Sequence, residues 1–185
     1  MKEMPSYYEI DIQGLKRKLK LFKVSDKLAI AALIILGDVE ICSHCAGLLK
    51  DLLPPVDVLI TAEAKGIPLV HELARVMGLP RYIVVRKSKK TYMDNPLTVD
   101  VESITTLGTQ KLYLPREDLD LIQGKRVAIV DDVISTGESL KSLEHLVEQA
   151  GGQIVAKAAI LAEGDAANRD DIIFLEKLPL FHLDD

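Results

Sequence analysis

Apolar segments and amphipathic helices alternate along the second half of this 185-residue chain, and this alternation limits its possible folds more than any other feature. The segment "VAIV" (residues 127–130) has no polar face, which is typical of a central strand in a parallel sheet. An amphipathic helix follows in "SLKSLEHLVEQAGG" (139–152), then a strand in "IVAKAAILA" (154–162). Such units predict an α/β fold, with a central, mainly parallel sheet flanked by helices.

Earlier segments repeat the same pattern. The β-rich run "DVLITA" (57–62) comes before "PLVHELARVMG" (68–78), which predicts a helix with proline in its first turn and glycine after its end. The next run, "RYIVVR" (81–86), predicts a strand. These segments extend the strand–helix–strand alternation that predicts the parallel sheet.

The segment between Arg86 and Arg126 interrupts the alternation. No strong helix is predicted there. The run "LTVDVESIT" (97–105) alternates in polarity, and "TQKLYL" (109–114) follows it. These two runs predict an inserted antiparallel hairpin.

The length suits one domain that covers residues 1–185. Residues 1–53 lie outside the repeating units, and we expect them to form an N-terminal cap, or hood, over the carboxyl edge of the sheet. Residues 54–185 are expected to form the core, with a flexible loop at 86–110.

Composition excludes several classes of function. The chain is 48% hydrophobic and 28% charged, as ordinary globular proteins are, and its net charge of -5 argues against a nucleic-acid partner. The basic run "LKRKLKLFK" (15–23) is expected to be a solvated surface. The longest apolar run, "LAIAALIIL" (28–36), is too short to cross a membrane, and no apolar signal core is visible. We expect a cytoplasmic protein with no membrane partner.

The two cysteines lie in "CSHC" (42–45). A structural zinc site needs about four ligands, and no second pair follows. We expect Cys42 and Cys45 to pack as small apolar residues on a partly buried helix.

The stretch "DDVISTGES" (131–139) combines two acids, a loop of hydroxyl residues and glycine, and the start of a helix. Ligands of open α/β sheets bind beyond the carboxyl ends of the strands, where Asp131 and Asp132 are expected. Unpaired N–H groups at a helix N-terminus bind phosphate, and the hydroxyl groups add donors. Two carboxylates can accept hydrogen bonds from sugar hydroxyls. The combination therefore suits a ribose 5-phosphate.

Three other interpretations compete with this one. A two-component receiver also has paired aspartates after a strand, but too little chain follows Asp132 to complete such a domain. A nucleotide hydrolase needs the pattern GxxxxGK[ST], which does not occur in the sequence. The third interpretation is a strand whose acids merely cap a loop.

Longer motifs resemble the type I phosphoribosyltransferases, and most of the chain takes part in the resemblance. "VAIVDDVISTGES" (127–139) resembles their phosphoribosyl-pyrophosphate signature. "TAEAKGIPLVHELA" (61–74) looks like the pyrophosphate loop and following helix of the adenine and xanthine members. "VVRKSKKTYMDNP" (84–96) is similar to the start of their flexible catalytic loop, and "ILGDVE" (35–40) loosely resembles a segment near the purine.

The resemblance implies the type I phosphoribosyltransferase fold and the transfer of a 5-phosphoribosyl group from phosphoribosyl pyrophosphate to a base nitrogen. The implied catalytic residues are Asp131, Asp132, Arg86 and Lys87. The implied binding residues for the 5-phosphate follow the acids: Val133, Ile134, Ser135, Thr136, Gly137, Glu138 and Ser139. The implied binding residues for pyrophosphate are Glu63, Ala64, Lys65, Gly66 and Lys90. In the family the pyrophosphate loop has an unusual backbone conformation, for which Gly66 is suited.

The base is less well defined by the motifs. Leu36, Gly37, Asp38 and Glu163 are the candidate base-binding residues. Adenine is the first acceptor to consider, with xanthine or another purine as the alternative. The resemblance also implies Mg²⁺ held mainly by the substrate rather than by direct protein ligands, and a homodimer.

A second hypothesis belongs to another functional class. Some proteins of this fold bind phosphoribosyl pyrophosphate as an effector and regulate transcription or RNA. The basic run at residues 15–23 favours such a role, whereas the acidic net charge and the "EAKG" and "RKSKK" segments favour an enzyme.

Overall fold

The computed structural model describes residues 6–101 and 110–183. In chain order the elements are β1 (Tyr7–Ile12), β2 (Leu15–Ser25), β3 (Leu28–Ala32), α1 (Val39–Leu52), β4 (Val58–Ala62), α2 (Ile67–Met77), β5 (Ile83–Val85), β6 (Leu97–Val101), β7 (Gln110–Leu114), α3 (Arg116–Ile122), β8 (Arg126–Ile134), α4 (Glu138–Gln149), β9 (Gln153–Glu163), a 3₁₀ helix (Gly164–Asn168), β10 (Ile173–Leu178) and β11 (Phe181–His182).

A five-stranded parallel sheet forms the centre of the molecule. Its strand order is β10-β9-β8-β4-β5, so β8 lies in the middle and β4 next to it. All five residues of β4 are buried, as expected for a strand covered on both faces. The prediction of an α/β fold with a central parallel sheet is confirmed.

Two details of the prediction are wrong. First, β8 does not end at its acids but continues through them to Ile134, because the ladder to β9 extends to the pair Ile134–Ala162. Second, the segment between Arg86 and Arg126 contains a helix, α3. It has only seven residues and a single buried one, Ile122, so it carries too little apolar periodicity to be recognised from sequence.

A second sheet lies at the N-terminal end of the chain. It is antiparallel and has the order β1-β2-β3-β11, so the last strand of the chain returns to the first three. Apolar residues of this sheet, of α1 and of the central sheet belong to one hydrophobic core. The proposed boundary between hood and core after residue 53 stays a prediction.

Helix α1 carries both cysteines, which are buried and free, as the sequence predicts. His44 fixes this helix to the N-terminal sheet, because its Nε2 lies 2.8 Å from the carbonyl oxygen of Ile12. The basic run forms most of β2, and its lysines are exposed. Arg17 is the exception, since it is paired with Asp38 and Glu40.

The predicted hairpin is present as β6 and β7, which pair in antiparallel register. Its base is packed rather than free, because Val99, Leu112 and Leu114 are buried in the same core as Leu140 and Leu143 of α4. Residues 102–109 of the predicted flexible loop lie outside the described residues. None of the described helices combines the length and the apolar character that a membrane crossing requires.

Candidate active site

The two acids of β8 lie side by side near the carboxyl edge of the central sheet. Asp132 is buried, with 2% of its surface exposed, whereas Asp131 is half-buried. The backbone N–H of Asp132 donates to Oδ1 of Asp131 over 2.9 Å. Nζ of Lys65 lies 2.9 Å from Oδ2 of Asp132, an ion pair without the angles of a hydrogen bond. The acid pair therefore meets one lysine from the loop after β4.

Burial and mutual repulsion change the protonation of this pair. Burial, followed by the neighbouring carboxylate of Asp132, raises the pKa of Asp131 to about 7. The charge of Lys65 acts in the opposite direction but is weaker. Asp131 therefore exchanges its proton near neutral pH, which is common among groups that take part in catalysis.

The loop between β8 and α4 presents small polar groups at the start of a helix. Ser135, Thr136 and Ser139 are exposed, and the first N–H groups of α4 lack partners within the helix. Gly137 has a φ of 81°, in the left-handed region that favours glycine. Hydroxyl and N–H donors thus surround a helix N-terminus, which is the arrangement that binds phosphate groups.

A cleft of about 180 Å³ joins the acid pair to the other predicted segments. Its walls come from β4 and its loop, from the residues after β5, from β7, and from β8 and the start of α4: Ala62, Glu63, Ala64, Lys65, Lys87, Leu112, Asp131, Asp132, Val133 and Ser139. A smaller cavity of about 60 Å³ adjoins it and includes Ile134, Ser135, Thr136 and Gly137 in its lining. Three motifs that are distant in sequence therefore share one site.

Gly66 ends the loop after β4 and allows close packing. A Cβ atom at this position would lie 2.2 Å from Oγ1 of Thr61 and 3.2 Å from Oδ1 of Asp131. Its own backbone is ordinary helical, with a φ of -69°. The unusual feature of the loop is the cis peptide bond between Glu63 and Ala64. The loop therefore has an unusual backbone, as the resemblance implies, whereas Gly66 itself is required for its close contact with Thr61.

The carboxylate of Glu63 binds the segment that follows β5. Its Oε1 accepts a hydrogen bond from the backbone N–H of Lys87 over 2.6 Å, and its Oε2 lies 2.9 Å from Nε of Arg86. The backbone of Arg86 also exchanges two hydrogen bonds with Tyr113 of β7. Glu63 therefore joins the loop after β4 to the base of the hairpin.

Lys90 and Glu138 are predicted site residues that line neither cavity. Nζ of Lys90 donates to Oγ of Ser88 over 2.6 Å at the surface, and Lys90 does not line either cavity. Glu138 is the first residue of α4 and is likewise absent from both linings. Nothing in the spacing or the motifs separates Lys90 and Glu138 from the neighbouring residues that do line the cavities.

The candidate base-binding residues are divided between two places. Gly37 and Asp38 line a separate cavity of about 310 Å³ beside α1 and α2, and Leu36 is exposed at the surface. Both oxygens of Asp38 are already engaged by Arg17, at 2.8 and 3.0 Å, and Asp38 also caps α1.

Glu163 ends β9, close enough to Lys65 for the lysine charge to affect it. Burial raises the pKa of Glu163, and Lys65 lowers it to a smaller degree. Glu163 lies at the carboxyl end of β9, one residue past the register pair of Ala162 with Ile134 of β8, whereas Gly37 and Asp38 belong to another cavity.

Two residues that sequence reasoning missed contact the site. Thr61 is fully buried against Gly66. Arg169, after the 3₁₀ helix, lies against Gly137 of the phosphate loop. Thr61 is the first residue of the segment 61–74, but only packing reveals its contact with Gly66, and the contact of Arg169 joins segments that are distant in sequence.

Comparisons with known proteins agree with this geometry. A family model described as a phosphoribosyl transferase domain matches residues 39–180. The chain is 33% identical over 114 residues to a hypoxanthine/guanine phosphoribosyltransferase of Methanococcus voltae, covering 62% of this chain and 57% of that relative. It is 31% identical over 139 residues to an adenine phosphoribosyltransferase of Clostridium kluyveri, covering 75% and 76%. It is 30% identical over 119 residues to a xanthine phosphoribosyltransferase of an Exiguobacterium species, covering 64% and 60%.

The fold also matches a solved structure. The crystal structure of adenine phosphoribosyltransferase from Thermoanaerobacter pseudethanolicus superposes with a TM-score of 0.66 at 24% identity, covering 93% of this chain and 95% of that one. At this level of identity the likeness concerns the fold.

Proposed function

The chain belongs to the phosphoribosyl transferase family, and we propose that it is a purine phosphoribosyltransferase that uses phosphoribosyl pyrophosphate. The observation that carries the proposal is that a cleft lined by the acid pair and by lysines of two other segments adjoins a smaller cavity lined by the hydroxyl-glycine loop. A ribose that bears one phosphate on C5 and a pyrophosphate on C1 has the charges that this arrangement complements.

Different residues of the site would bind different parts of the substrate. The loop from Ser135 to Ser139 would bind the 5-phosphate through N–H and hydroxyl donors. Asp131 and Asp132 would accept hydrogen bonds from the ribose hydroxyls. As the bond to pyrophosphate breaks, positive charge develops on the ribose, and the two acids would stabilise it.

The leaving pyrophosphate needs cations on its own side of the ribose. Lys65 and Lys87 line the cleft there, and Arg86 lies behind them, held by Glu63. Lys65 would exchange its contact with Asp132 for the pyrophosphate, which would leave the acid free to face the ribose. Charge-assisted contacts of this kind are stronger than neutral hydrogen bonds.

We also propose Mg²⁺ as the cofactor. Oδ2 of Asp132 is buried without a hydrogen-bond partner among the described residues, and carboxylate and phosphate oxygens are the ligands that Mg²⁺ prefers. Asp131 and Asp132 would face the ion, with most ligands coming from the substrate. When bound, Mg²⁺ would neutralise charge on the pyrophosphate. Within the described residues, no group of three or more histidine, cysteine or acidic side chains is arranged to hold a metal.

Adenine is the acceptor that we propose first. Glu163 lies at the carboxyl end of β9, the strand next to β8, and its carboxylate can accept a hydrogen bond from an exocyclic amine, which adenine has and xanthine lacks. The alternative acceptors are xanthine and the other purines, since relatives bear all three kinds of name. A homodimer and a cytoplasmic location remain predictions.

The decisive experiment measures pyrophosphate release from phosphoribosyl pyrophosphate and Mg²⁺, with adenine, xanthine, guanine, hypoxanthine, uracil and orotate tested separately. Rapid release with one purine supports the proposal and identifies the acceptor. Release with uracil or orotate alone would contradict it. Tight binding of phosphoribosyl pyrophosphate with no release for any base would favour a sensor of this ligand.

A double substitution, Asp131→Asn with Asp132→Asn, tests the proposed roles of the acids. We expect release to fall by roughly 100- to 1,000-fold, because the electrostatic stabilisation of the ribose cation is lost. Transfer that survives the double change would show that the acids do not face the ribose.

A further inference from the structure

We propose that Arg169 is a further phosphate-binding residue, which supplies the positive charge that the loop between β8 and α4 lacks. The inference rests on the proposed function, since it concerns the 5-phosphate of the same substrate. Arg169 lies more than 30 residues beyond that loop in sequence and belongs to none of the motifs that mark the site.

The guanidinium of Arg169 is fixed on one side and free on the other. Its Nε and Nη2 donate to the two carboxylate oxygens of Asp171 over 2.8 and 2.7 Å. Within the described residues, Nη1 makes no hydrogen bond. A Cβ atom on Gly137 would lie 2.7 Å from this Nη1, and apart from residues next in the chain no other atom comes within 4 Å of that position. Nη1, the guanidinium nitrogen without a partner among the described residues, therefore faces the loop between β8 and α4.

Neighbouring contacts hold the arginine in this orientation. The backbone N–H of Arg169 donates to the carbonyl of Ala166 over 3.1 Å, and Ala166 is buried. Asp171 is shared with Lys157, which also pairs with Glu144 at 2.7 Å. The contacts with Asp171 therefore keep the guanidinium in one orientation, so the arginine is preorganised beside the loop.

The loop between β8 and α4 has no positive side chain of its own, and Arg169 would supply one. Residues 133–139 contain no lysine or arginine, and they include the acidic Glu138. The acid pair of β8 adds further negative charge close by. A phosphate dianion bound there by N–H and hydroxyl donors alone would have no cationic side chain of the loop beside it. Arginine binds phosphate through directed, charge-assisted hydrogen bonds, and Nη1 of Arg169 is available for one.

The test measures, by calorimetry, the binding of ribose 5-phosphate and of inorganic pyrophosphate to the wild-type chain and to Arg169→Ala. We expect the affinity for ribose 5-phosphate to fall about tenfold or more, as the loss of one hydrogen bond to a charged group predicts. Affinity for pyrophosphate should change by less than about twofold, because pyrophosphate meets other residues. Arg169→Lys should recover part of the lost affinity, since lysine keeps the positive charge but lacks the planar set of N–H donors of a guanidinium.

Arg126→Ala is the matched control. Nε and Nη2 of Arg126 likewise donate to the two carboxylate oxygens of Asp57, over 3.0 and 2.8 Å, but at the amino end of β8. This variant should bind both ligands as the wild type does. Equal affinity of wild type and Arg169→Ala for ribose 5-phosphate would overturn the inference and leave the proposed function intact. Equal losses for both ligands would also overturn it, since they would indicate a distorted site. A wild-type chain that binds neither ligand would contradict the proposed function itself.

Discussion

The loops after β4 and β8 follow the same plan but meet their ligands with different chemistry. Each leaves the carboxyl edge of the parallel sheet and leads into a helix, α2 or α4. The first loop brings charged side chains, Glu63 and Lys65, whereas the second brings hydroxyl groups and glycine. The two helix N-termini are therefore accompanied by different donors, charged side chains in one loop and neutral groups in the other. In the proposed function, side-chain charge suits the leaving pyrophosphate, and backbone donors suit the retained 5-phosphate.

Each of these loops has a glycine, and the two glycines are required for different reasons. Gly137 is needed for its conformation, because its φ is positive and its Cβ direction is open except for Arg169. Gly66 has an ordinary backbone and is needed for space, because Thr61 occupies the position of a side chain. One glycine serves the backbone and the other serves packing between the strand and its own loop.

Substitution of the two glycines should give the largest effects on stability. Gly66→Ala places a methyl group 2.2 Å from Oγ1 of Thr61, which is fully buried and cannot move away freely. We expect a loss of about 3 kcal/mol of unfolding free energy, at the upper end of overpacking costs. Gly137→Ala meets only the terminal nitrogen of Arg169 and should lose about 1–2 kcal/mol, mainly from its left-handed backbone.

Thermal unfolding of both variants checks this order. A smaller loss for Gly66→Ala than for Gly137→Ala would contradict the assignment of Gly66 to packing. The double variant Gly66→Ala with Thr61→Ser is not expected to recover stability, because serine retains the Oγ atom. Thr61→Ala removes that atom and should recover part of the loss in the Gly66→Ala background.

Removal of the carboxylate of Glu63 should have the next largest effect, which is on the KM for phosphoribosyl pyrophosphate. Glu63→Ala releases the backbone of Lys87 and the side chain of Arg86 from the loop after β4. We expect the KM for phosphoribosyl pyrophosphate to rise about tenfold, because an interaction with a charged partner contributes about 1.5–3 kcal/mol. The KM for the base should not change. Glu63→Gln keeps an acceptor for Lys87 and should lie between wild type and Glu63→Ala.

Asp57→Ala is the control for this change. Asp57 also accepts from a backbone N–H and an arginine side chain, both of Arg126, but at the opposite end of the sheet. Its KM for phosphoribosyl pyrophosphate should equal that of the wild type. If Glu63→Ala and Asp57→Ala raise the KM equally, the link between loop and hairpin base has no special role.

A last expected effect is a dependence of stability on pH that distinguishes the acids from the hydroxyl loop. The pKa of Asp131 is about 7 in the folded chain, against 3.8 ordinarily, mainly because the carboxyl is buried. Between these values the folded state keeps a proton that the unfolded state releases. Stability should therefore decrease as pH rises from about 4 to about 7 and then level off.

Thermal unfolding of wild type and Asp131→Asn across this range measures the effect. The variant has no ionisable group at this position, so its advantage over wild type should grow from about pH 4 to about pH 7. In the same interval the wild-type kcat/KM for phosphoribosyl pyrophosphate should rise, since the ionised acid faces the ribose. Parallel unfolding profiles for the two proteins would show that Asp131 keeps its ordinary pKa.

Local sequence was sufficient for much of the fold and for part of the site. The apolar run of β8, the amphipathic face of α4 and the proline and glycine at the ends of α2 each identify their element within a few residues. The acids and the hydroxyl-glycine loop are contiguous, so one stretch contains both parts of a ribose 5-phosphate site. Elements with weak patterns, such as α3, could not be recognised.

What the sequence by itself determined is therefore the order of the elements and the chemistry carried at the end of each strand. Tertiary structure alone decided which of these groups meet: Lys65 with Asp132, Glu63 with Arg86, and Arg169 with Gly137. It also decided the raised pKa of Asp131, which comes from burial and a neighbouring charge. The physical reason is that strand order in the sheet, rather than spacing along the chain, sets the distances between charges and the amount of water around them.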